Sequence, residues 1–137
     1  MNGVSPEIVA LGCNRIVYRA VAAAGWLENL PDAFMLRPTE KDTGLSVSYN
    51  CTADECRYTL AKSYGVLSLH TGRVRALNLE IIPDEPQHAN ITGLPYKEDD
   101  PLEAERLASL LAKQARIVER GLKKRPSGVG GPIAGLI

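Results

Sequence analysis

Residues 66–92 have the sequence VLSLHTGRVRALNLEIIPDEPQHANIT, and this stretch decides most of the predicted fold. Its apolar runs are rich in Val, Leu and Ile and are typical of β-strands. Thr71-Gly72 separates residues 66–70 from residues 73–82, and a short link that contains glycine favours a β-hairpin. Antiparallel β-structure is therefore expected at the centre of the fold.

Further strands are predicted on both sides of this hairpin. Residues 83–87 predict a loop, and HANIT at 88–92 predicts a strand. LSVSY at 45–49 alternates apolar and polar residues, the pattern of a half-buried strand. RIVYRAV at 15–21 is rich in β-branched and aromatic residues and favours a strand, with a helix through the following AVAAAG as the alternative. DAFMLR at 32–37 lies between two prolines and predicts a short edge strand.

Two helices are marked by capping residues. Thr52 and Glu55 have the spacing of a capping box, which predicts a helix over residues 53–64 that ends at a glycine. Asp100 precedes a proline, and apolar residues then recur every three or four positions. This pattern predicts an amphipathic helix over residues 101–121.

These elements predict one α+β domain over residues 1–122, with a mostly antiparallel sheet of four or five strands packed against the two main helices. A short N-terminal helix is expected after Ser5-Pro6, closed by Gly12. Residues 123–137 contain four glycines and two prolines. They predict a flexible tail.

Composition limits the classes of function. The 137-residue chain is 45% hydrophobic and 23% charged, as globular proteins are. Sixteen basic residues balance sixteen acidic ones, so a site for a polyanion has to be local. Three cysteines and an N-terminus without a secretory pattern predict a cytoplasmic protein. No membrane partner is expected, because no apolar run approaches about 18 residues.

His88 is the first candidate for acid/base chemistry, because histidine titrates near neutral pH. Strand alternation places Asn90 on the same face, where its amide can fix the tautomer of the imidazole or bind a substrate oxygen. Asp84 and Glu85 precede His88 closely enough to raise its basicity. The alternative is a histidine that caps backbone at the entrance of the strand.

A second candidate site follows from the predicted hairpin. A two-residue turn places Ser68, His70, Arg73 and Arg75 on one face, and like charges opposed on neighbouring strands favour a bound anion. The anion-binding residues expected on this basis are His70, Arg73 and Arg75. The alternative is a cationic hairpin tip that is simply exposed.

Arg19 is the third candidate, because an arginine on a half-apolar strand is costly unless it is paired or bound to a ligand. It is expected to meet a carboxylate such as Glu40 or to reach a substrate. Ser46 and Ser48 could contribute hydroxyls to an anion site nearby. Glu40 itself, with the charged residues that follow it, predicts a solvated loop.

No metal site or cofactor motif is predicted. Cys51 and Cys56 have C-x4-C spacing and stand far in sequence from His70 and His88, unlike the paired motifs of zinc sites. No glycine-rich phosphate loop or nucleotide fingerprint is found. The cofactor is therefore unknown.

Several segments resemble a group of small uncharacterised bacterial proteins that have no assigned activity: residues 18–19, 33–34, 37–38, 44–48 and 88–95. A further resemblance is to the ADP-ribosyltransferase and RES-type toxin superfamily, in which a Tyr-Arg pair on the first strand, a serine-bearing strand and a later polar residue surround NAD. Tyr18-Arg19 and Ser46-Val47-Ser48 match the first two parts. The third part is usually acidic and has no clear counterpart, since Glu80 is one of several candidates and His88 departs from the pattern.

Two classes of function remain open. The first is an enzyme or toxin that acts on a nucleotide or an RNA phosphate, with Arg19 and the hairpin arginines holding negative charge and His88 moving a proton. The second is a non-catalytic interaction module whose C-terminal helix and tail bind a second copy of the chain or another protein. Convergence of the arginines and histidines on one cleft would favour the first class.

Overall fold

Six strands form one sheet in the computed structural model, which describes residues 11–125. All neighbouring strands are antiparallel, in the order β4-β5-β2-β1-β3-β6. The predicted α+β class and antiparallel sheet are confirmed, with six strands in place of the four or five expected. The strands are β1 Ile16–Ala20, β2 Leu45–Ser48, β3 Lys62–His70, β4 Glu80–Glu85, β5 His88–Thr92 and β6 Arg116–Lys124.

Four short or medium helices connect these strands, together with 3-10 turns at Leu30–Phe34 and Pro38–Glu40. The edge strand predicted over residues 32–37 is wrong, because the first of these turns occupies its beginning. The helices are α1 Gly25–Glu28, α2 Ala53–Arg57, α3 Thr71–Arg75 and α4 Pro101–Gln114.

Both predicted main helices begin where their caps indicate and end earlier than expected. Thr52 and Glu55 form the capping box of α2, and Asp100 caps α4 through the backbone N–H of Glu103. The residues after each helix instead form β3 and β6, which pair with each other. The backbone hydrogen bonds of that long antiparallel pair replace those of the helical extensions.

The hairpin predicted at Thr71-Gly72 is wrong. β3 ends at His70 and leads directly into α3, and its neighbours in the sheet are β1 and β6. The hairpin of this region lies further along the chain, where β4 and β5 meet at Gln87 with a φ of 69°. Pro83, predicted in a loop, belongs to β4, an edge strand that tolerates a residue without N–H.

The two faces of the sheet differ in chemistry. One face carries the core, in which Val17, Leu69 and Ile91 join a single cluster with Leu107 and Leu111 of α4. The opposite face is polar near the centre of the sheet. Residues on that face include Tyr18, Ser46, Ser48, His88 and Asn90.

The predicted N-terminal helix and residues 126–137 of the predicted tail lie outside the described residues. Lys123 and Lys124, assigned to the tail by sequence, belong to β6. Within residues 11–125, no helix has both the length and the apolar character needed to cross a membrane.

Candidate functional site

A cavity of about 200 Å³ opens where β1 and β2 separate. The register joins the two strands at Tyr18 and Ser48, and beyond that pair the Arg19 guanidinium donates to the Ser46 carbonyl oxygen at 2.8 Å. Polar side chains from both strands and from β5 therefore face one concave space. We call it the β1/β2 cavity; its lining includes Tyr18, Arg19, Arg37, Ser46, Ser48, Cys56 and His88.

A row of three hydrogen-bonded side chains lies at one side of the β1/β2 cavity. The Nε2 atom of His88 is 2.5 Å from the Ser46 hydroxyl oxygen, and its Nδ1 atom is 2.5 Å from a carboxylate oxygen of Asp84. Antiparallel pairing of β2 with β5 brings Ser46 beside Asn90 and Ser48 beside His88. Pairing of β5 with β4 places Asp84 next to His88, which its short distance from His88 in the sequence predicts.

The carboxylate of Asp84 fixes the orientation of His88. Partial burial would raise the pKa of Asp84, but hydrogen bonds from His88 and Asn90 outweigh it and lower the pKa below its ordinary value. An ionised Asp84 accepts the proton of Nδ1–H, so the free lone pair of the neutral imidazole lies on Nε2, toward Ser46. His88 is thus held in the tautomer that can take a proton from a hydroxyl in the cavity.

Arg19 forms a buried ion pair with Glu40, one of the two outcomes expected for it. Its Nη1 donates to the Glu40 carboxylate at 3.0 Å, and its Nε donates to the Ala33 carbonyl oxygen at 2.5 Å. Both side chains are almost fully buried, so the solvated loop predicted for Glu40 is wrong. The guanidinium stays buried because every nitrogen has an acceptor.

The Glu40 carboxylate is the centre of a wider network. Burial would raise its pKa, but the charge and hydrogen bonds of Arg19, with the backbone N–H groups of Arg37 and Ser46, lower it to about 2. The Arg37 side chain donates to the same carboxylate and is 36% exposed. Two guanidinium groups therefore share one carboxylate, and these three side chains together carry one net positive charge.

Cys56 and Ser48 complete the floor of the β1/β2 cavity. Burial raises the pKa of the Cys56 thiol to about 11, with a hydrogen bond to Ser48 opposing the shift. The thiol is therefore protonated at neutral pH and is a poor nucleophile. Ser48, predicted in an anion site, lines the cavity beside Cys56 and is largely buried.

The second predicted site does not assemble as expected. We call its residues, His70–Arg75, the β3–α3 corner. Arg75 is paired with Glu80 and donates to the Leu11 carbonyl oxygen, while Arg73 is exposed. His70 bonds Asn14 through Nε2 at 3.0 Å, and with Arg73 it lines a groove of about 70 Å³. Ser68, His70 and Arg73 line this groove together, whereas α3 directs Arg75 to Glu80 and Leu11, so the predicted face does not include Arg75.

Metal ligands are also not brought together. Across residues 11–125, no group of three His, Cys, Asp or Glu side chains is placed to hold a metal ion. Of the four residues considered by sequence, His88 and Cys56 line the β1/β2 cavity and His70 lies in the β3–α3 corner, and both Cys51 and Cys56 are free cysteines.

Sequence reasoning missed two features near the site. Arg57 of α2 is 2% exposed and donates to Glu119 at 2.7 Å and to the Gly121 carbonyl oxygen, which ties α2 to β6. In the sequence it is one charged residue among many in a helix. Trp26 lies under the Arg19 guanidinium, which is 5.2 Å from the centre of the ring. The sequence singles out Trp26 only because it is the one tryptophan of the chain.

Comparison with known proteins gave no match: no family model fits the chain, and no curated protein or solved structure is significantly similar to it. The resemblances drawn from short motifs thus remain predictions.

Proposed function

We propose that the protein is an enzyme that acts on a phosphate-bearing nucleotide or an RNA phosphate, with the β1/β2 cavity as its active site. The observation that carries the proposal is the row Asp84–His88–Ser46, which opens into a cavity with Arg37 on its wall. The cavity therefore contains a base in a fixed tautomer, His88, and a cation, Arg37. The same cavity also receives Tyr18, Arg19, Ser46 and Ser48, the residues of the NAD-related resemblance.

His88 moves the proton in this proposal. Its Nε2 takes a proton from a water or substrate hydroxyl whose oxygen forms a bond to phosphorus, and the imidazolium that forms is stabilised by the Asp84 carboxylate. The bond from phosphorus to the leaving oxygen breaks, and the imidazolium returns the proton to that oxygen. Proton transfer of this kind requires hydrogen-bond reach, and Nε2 already lies 2.5 Å from one hydroxyl oxygen, that of Ser46, which the attacking hydroxyl would replace as its partner.

Arg37, rather than Arg19, binds the phosphate in this proposal. The Arg19 donors are committed to Glu40 and to backbone oxygens in the interior. Arg37 is partly exposed, lines the cavity and uses Nε and Nη2 for Glu40. Its guanidinium can therefore turn a further N–H toward a phosphate oxygen while Glu40 holds it in place. Arg19 acts as a positioning residue that fixes Glu40.

Ligand-dependent stability tests this proposal. Thermal unfolding is followed with NAD, ADP or a short RNA, and a ligand at a hundred times its dissociation constant adds about 2.7 kcal/mol. We expect a shift with at least one of them, and Arg37→Gln should weaken that ligand about tenfold or more. Arg73→Gln in the β3–α3 corner is the matched control and should leave affinity unchanged. Absence of a shift with all three ligands would contradict the proposal.

A second candidate function rests on the Ser46 hydroxyl. Because His88 Nε2 lies 2.5 Å from it, Ser46 could attack an acyl or phosphoryl group directly, as in the triads of serine hydrolases. A fluorophosphonate probe tests this: the Ser46 oxygen bonds phosphorus, fluoride leaves, and His88 takes the proton. Mass spectrometry should find the adduct on Ser46 and not in Ser46→Ala, with Ser68→Ala as control. An unlabelled protein would exclude Ser46 as the nucleophile.

The interaction-module alternative remains a prediction. The apolar stripe of α4 is already used, since Ala104, Leu107, Ala108 and Leu111 are buried in the domain. Most of the tail that would serve a partner lies outside the described residues. A homodimer or partner protein therefore has less support than a small-molecule site.

A further inference from the structure

A second cavity of about 320 Å³ adjoins the β1/β2 cavity, and Arg37 lines both of them. We call it the Trp26 cavity. It lies outside the sheet, between α1, the 3-10 turns and the segment before α4. The side chains used below are Trp26, Asp32, Met35, Pro38 and Lys97.

The lining of the Trp26 cavity combines a flat aromatic surface with charges at its edge. Trp26 is half-buried, and the Arg19 guanidinium over its ring restrains the orientation of the indole. Met35 and Pro38 add apolar surface, while Lys97 and Asp32 are exposed at the rim. A planar apolar group with polar edges and a neighbouring anion is the ligand class that such a lining fits.

Arg37 is the side chain that the two cavities share. A ligand with its aromatic part on Trp26 and its anionic part at Arg37 would direct its far end toward His88 in the β1/β2 cavity. Arg37 has Glu40 on one side, and Lys97 adds a second cation at the rim of the Trp26 cavity. A ligand that spans both cavities would therefore meet the aromatic surface first, then the cations and then the base.

We propose that the Trp26 cavity binds the base of a nucleoside diphosphate unit, stacked on Trp26, while Arg37 and Lys97 hold its phosphates. This inference rests on the proposed function, since it names the class of substrate that the β1/β2 cavity would receive. Base stacking on an aromatic side chain tolerates any base, so the subsite selects for a nucleotide rather than for one particular base. Asp32 can accept a hydrogen bond from a ribose hydroxyl or an exocyclic amine.

The chain contains its own reporter for this subsite, because Trp26 is the only tryptophan. ADP and inorganic pyrophosphate are titrated separately, with indole fluorescence and calorimetry as independent readouts. We expect ADP to change the fluorescence and pyrophosphate to bind with little change. ADP should also bind at least about tenfold more tightly than pyrophosphate, because only ADP carries a base to stack.

Variants separate the contribution of the base from that of the phosphates. Trp26→Leu should weaken ADP about tenfold or more without changing pyrophosphate, and Trp26→Phe, which keeps a ring, should restore most of the loss. Lys97→Gln, an exposed change that spares the core, should weaken both ligands, whereas Lys113→Gln in α4 should weaken neither. Lys97→Gln keeps the test decisive if Trp26→Leu fails to fold.

The outcomes distinguish this inference from the proposed function. If ADP and pyrophosphate bind equally and Lys97→Gln and the Trp26 variants change neither affinity, the Trp26 subsite is excluded while the phosphate site at Arg37 stands. If neither ligand binds, the Trp26 subsite is excluded, and the proposed function is then decided by the stability test with NAD and RNA. ADP affinity that depends on Trp26 and Lys97 and a fluorescence change confined to ADP would support both.

Discussion

The β1/β2 cavity and the β3–α3 corner each contain one of the two histidines of the chain and nearby arginines, yet they are organised differently. In the cavity both ring nitrogens of His88 have partners, and one of these, Ser46, faces open space. At the corner, His70 bonds Asn14 through one nitrogen, and its Nδ1 has no hydrogen-bond partner among residues 11–125. Similar residues therefore form a connected row in one region and separate pairs in the other.

This difference shows what distinguishes a candidate site from an accumulation of polar residues. Arg75 donates to Glu80 and to the Leu11 carbonyl oxygen, so its donors are directed to the protein itself. In the cavity, Glu40 is shared by two arginines, so one positive charge remains beside a base of fixed tautomer. Whether polar side chains can form a functional site depends on how they are arranged relative to one another, and not on how many of them lie close together.

The largest expected effect is on turnover and distinguishes the histidine of the β1/β2 cavity from the histidine of the β3–α3 corner. His88→Ala should lower turnover of the nucleotide substrate by about 10²–10⁴-fold, the usual contribution of a general base. His70→Ala should leave turnover within about twofold, because no base at the corner has a fixed tautomer facing a hydroxyl. Initial rates for the two variants provide the measurement. Comparable losses in both would mean that the two regions do not differ in function.

The next effect concerns the stability of the two arginine networks. Arg19→Met should lower the free energy of unfolding by about 3–5 kcal/mol, because it leaves the buried Glu40 charge without its main partner. Arg75→Met should cost about 1 kcal/mol or less, since Glu80 is half-exposed and solvated. Urea unfolding of both variants measures the contrast. Equal losses would contradict the assignment of Arg19 to a buried network.

The dependence of stability on acidic pH is a further test of the contrast between the two arginine networks. The pKa of Glu40 in the folded protein is about 2, below the ordinary value of 4.5, so the unfolded chain binds more protons between these values. The contribution of Glu40, about 3 kcal/mol at neutral pH, is therefore present above pH 4.5 and lost as the pH falls toward 2. The stability gap between the wild type and Glu40→Gln should close over this range. Glu80→Gln should show a much smaller gap, and a constant gap for Glu40→Gln would argue against a depressed pKa.

The smallest expected effect is at the exposed end of the corner. Arg73→Gln should change the free energy of unfolding by no more than about 0.5 kcal/mol, because the side chain is exposed. Chemical denaturation provides the measurement. A loss of several kcal/mol would show that the β3–α3 corner contains an interaction comparable with those of the cavity.

Local sequence signals predicted the elements that carry the cavity. The alternation in LSVSY and HANIT gave the faces of β2 and β5, and therefore the common side of Ser46 and His88. The contact between them depends on β2 and β5 being neighbours, which no local pattern specifies. Glu40 was named as a partner for Arg19, but the burial of the pair was not predicted, because no local pattern specifies where residues 21 positions apart in the sequence pack.

The two main helices end early for one physical cause, which is that distant strand pairing overrode local preference. Gly65 suggested the end of a helix, but it lies inside β3 at a φ of 156°, where a Cβ atom would collide with the Glu119 carbonyl oxygen of β6. Residues 115–121 continue the apolar spacing of α4 and nevertheless form β6 against β3. Neither outcome is visible without knowing that the two segments meet.

The response of the two histidine side chains to a ligand is the most direct test of the difference between the two regions. Side-chain ¹⁵N resonances of His88 and His70 can be followed by long-range ¹H–¹⁵N NMR while ADP is added. We predict that free His88 carries its proton on Nδ1, that its resonances shift on binding of ADP, and that those of His70 stay unchanged. A ligand-dependent shift of His70 with a static His88 would contradict the assignment of the β1/β2 cavity as the active site.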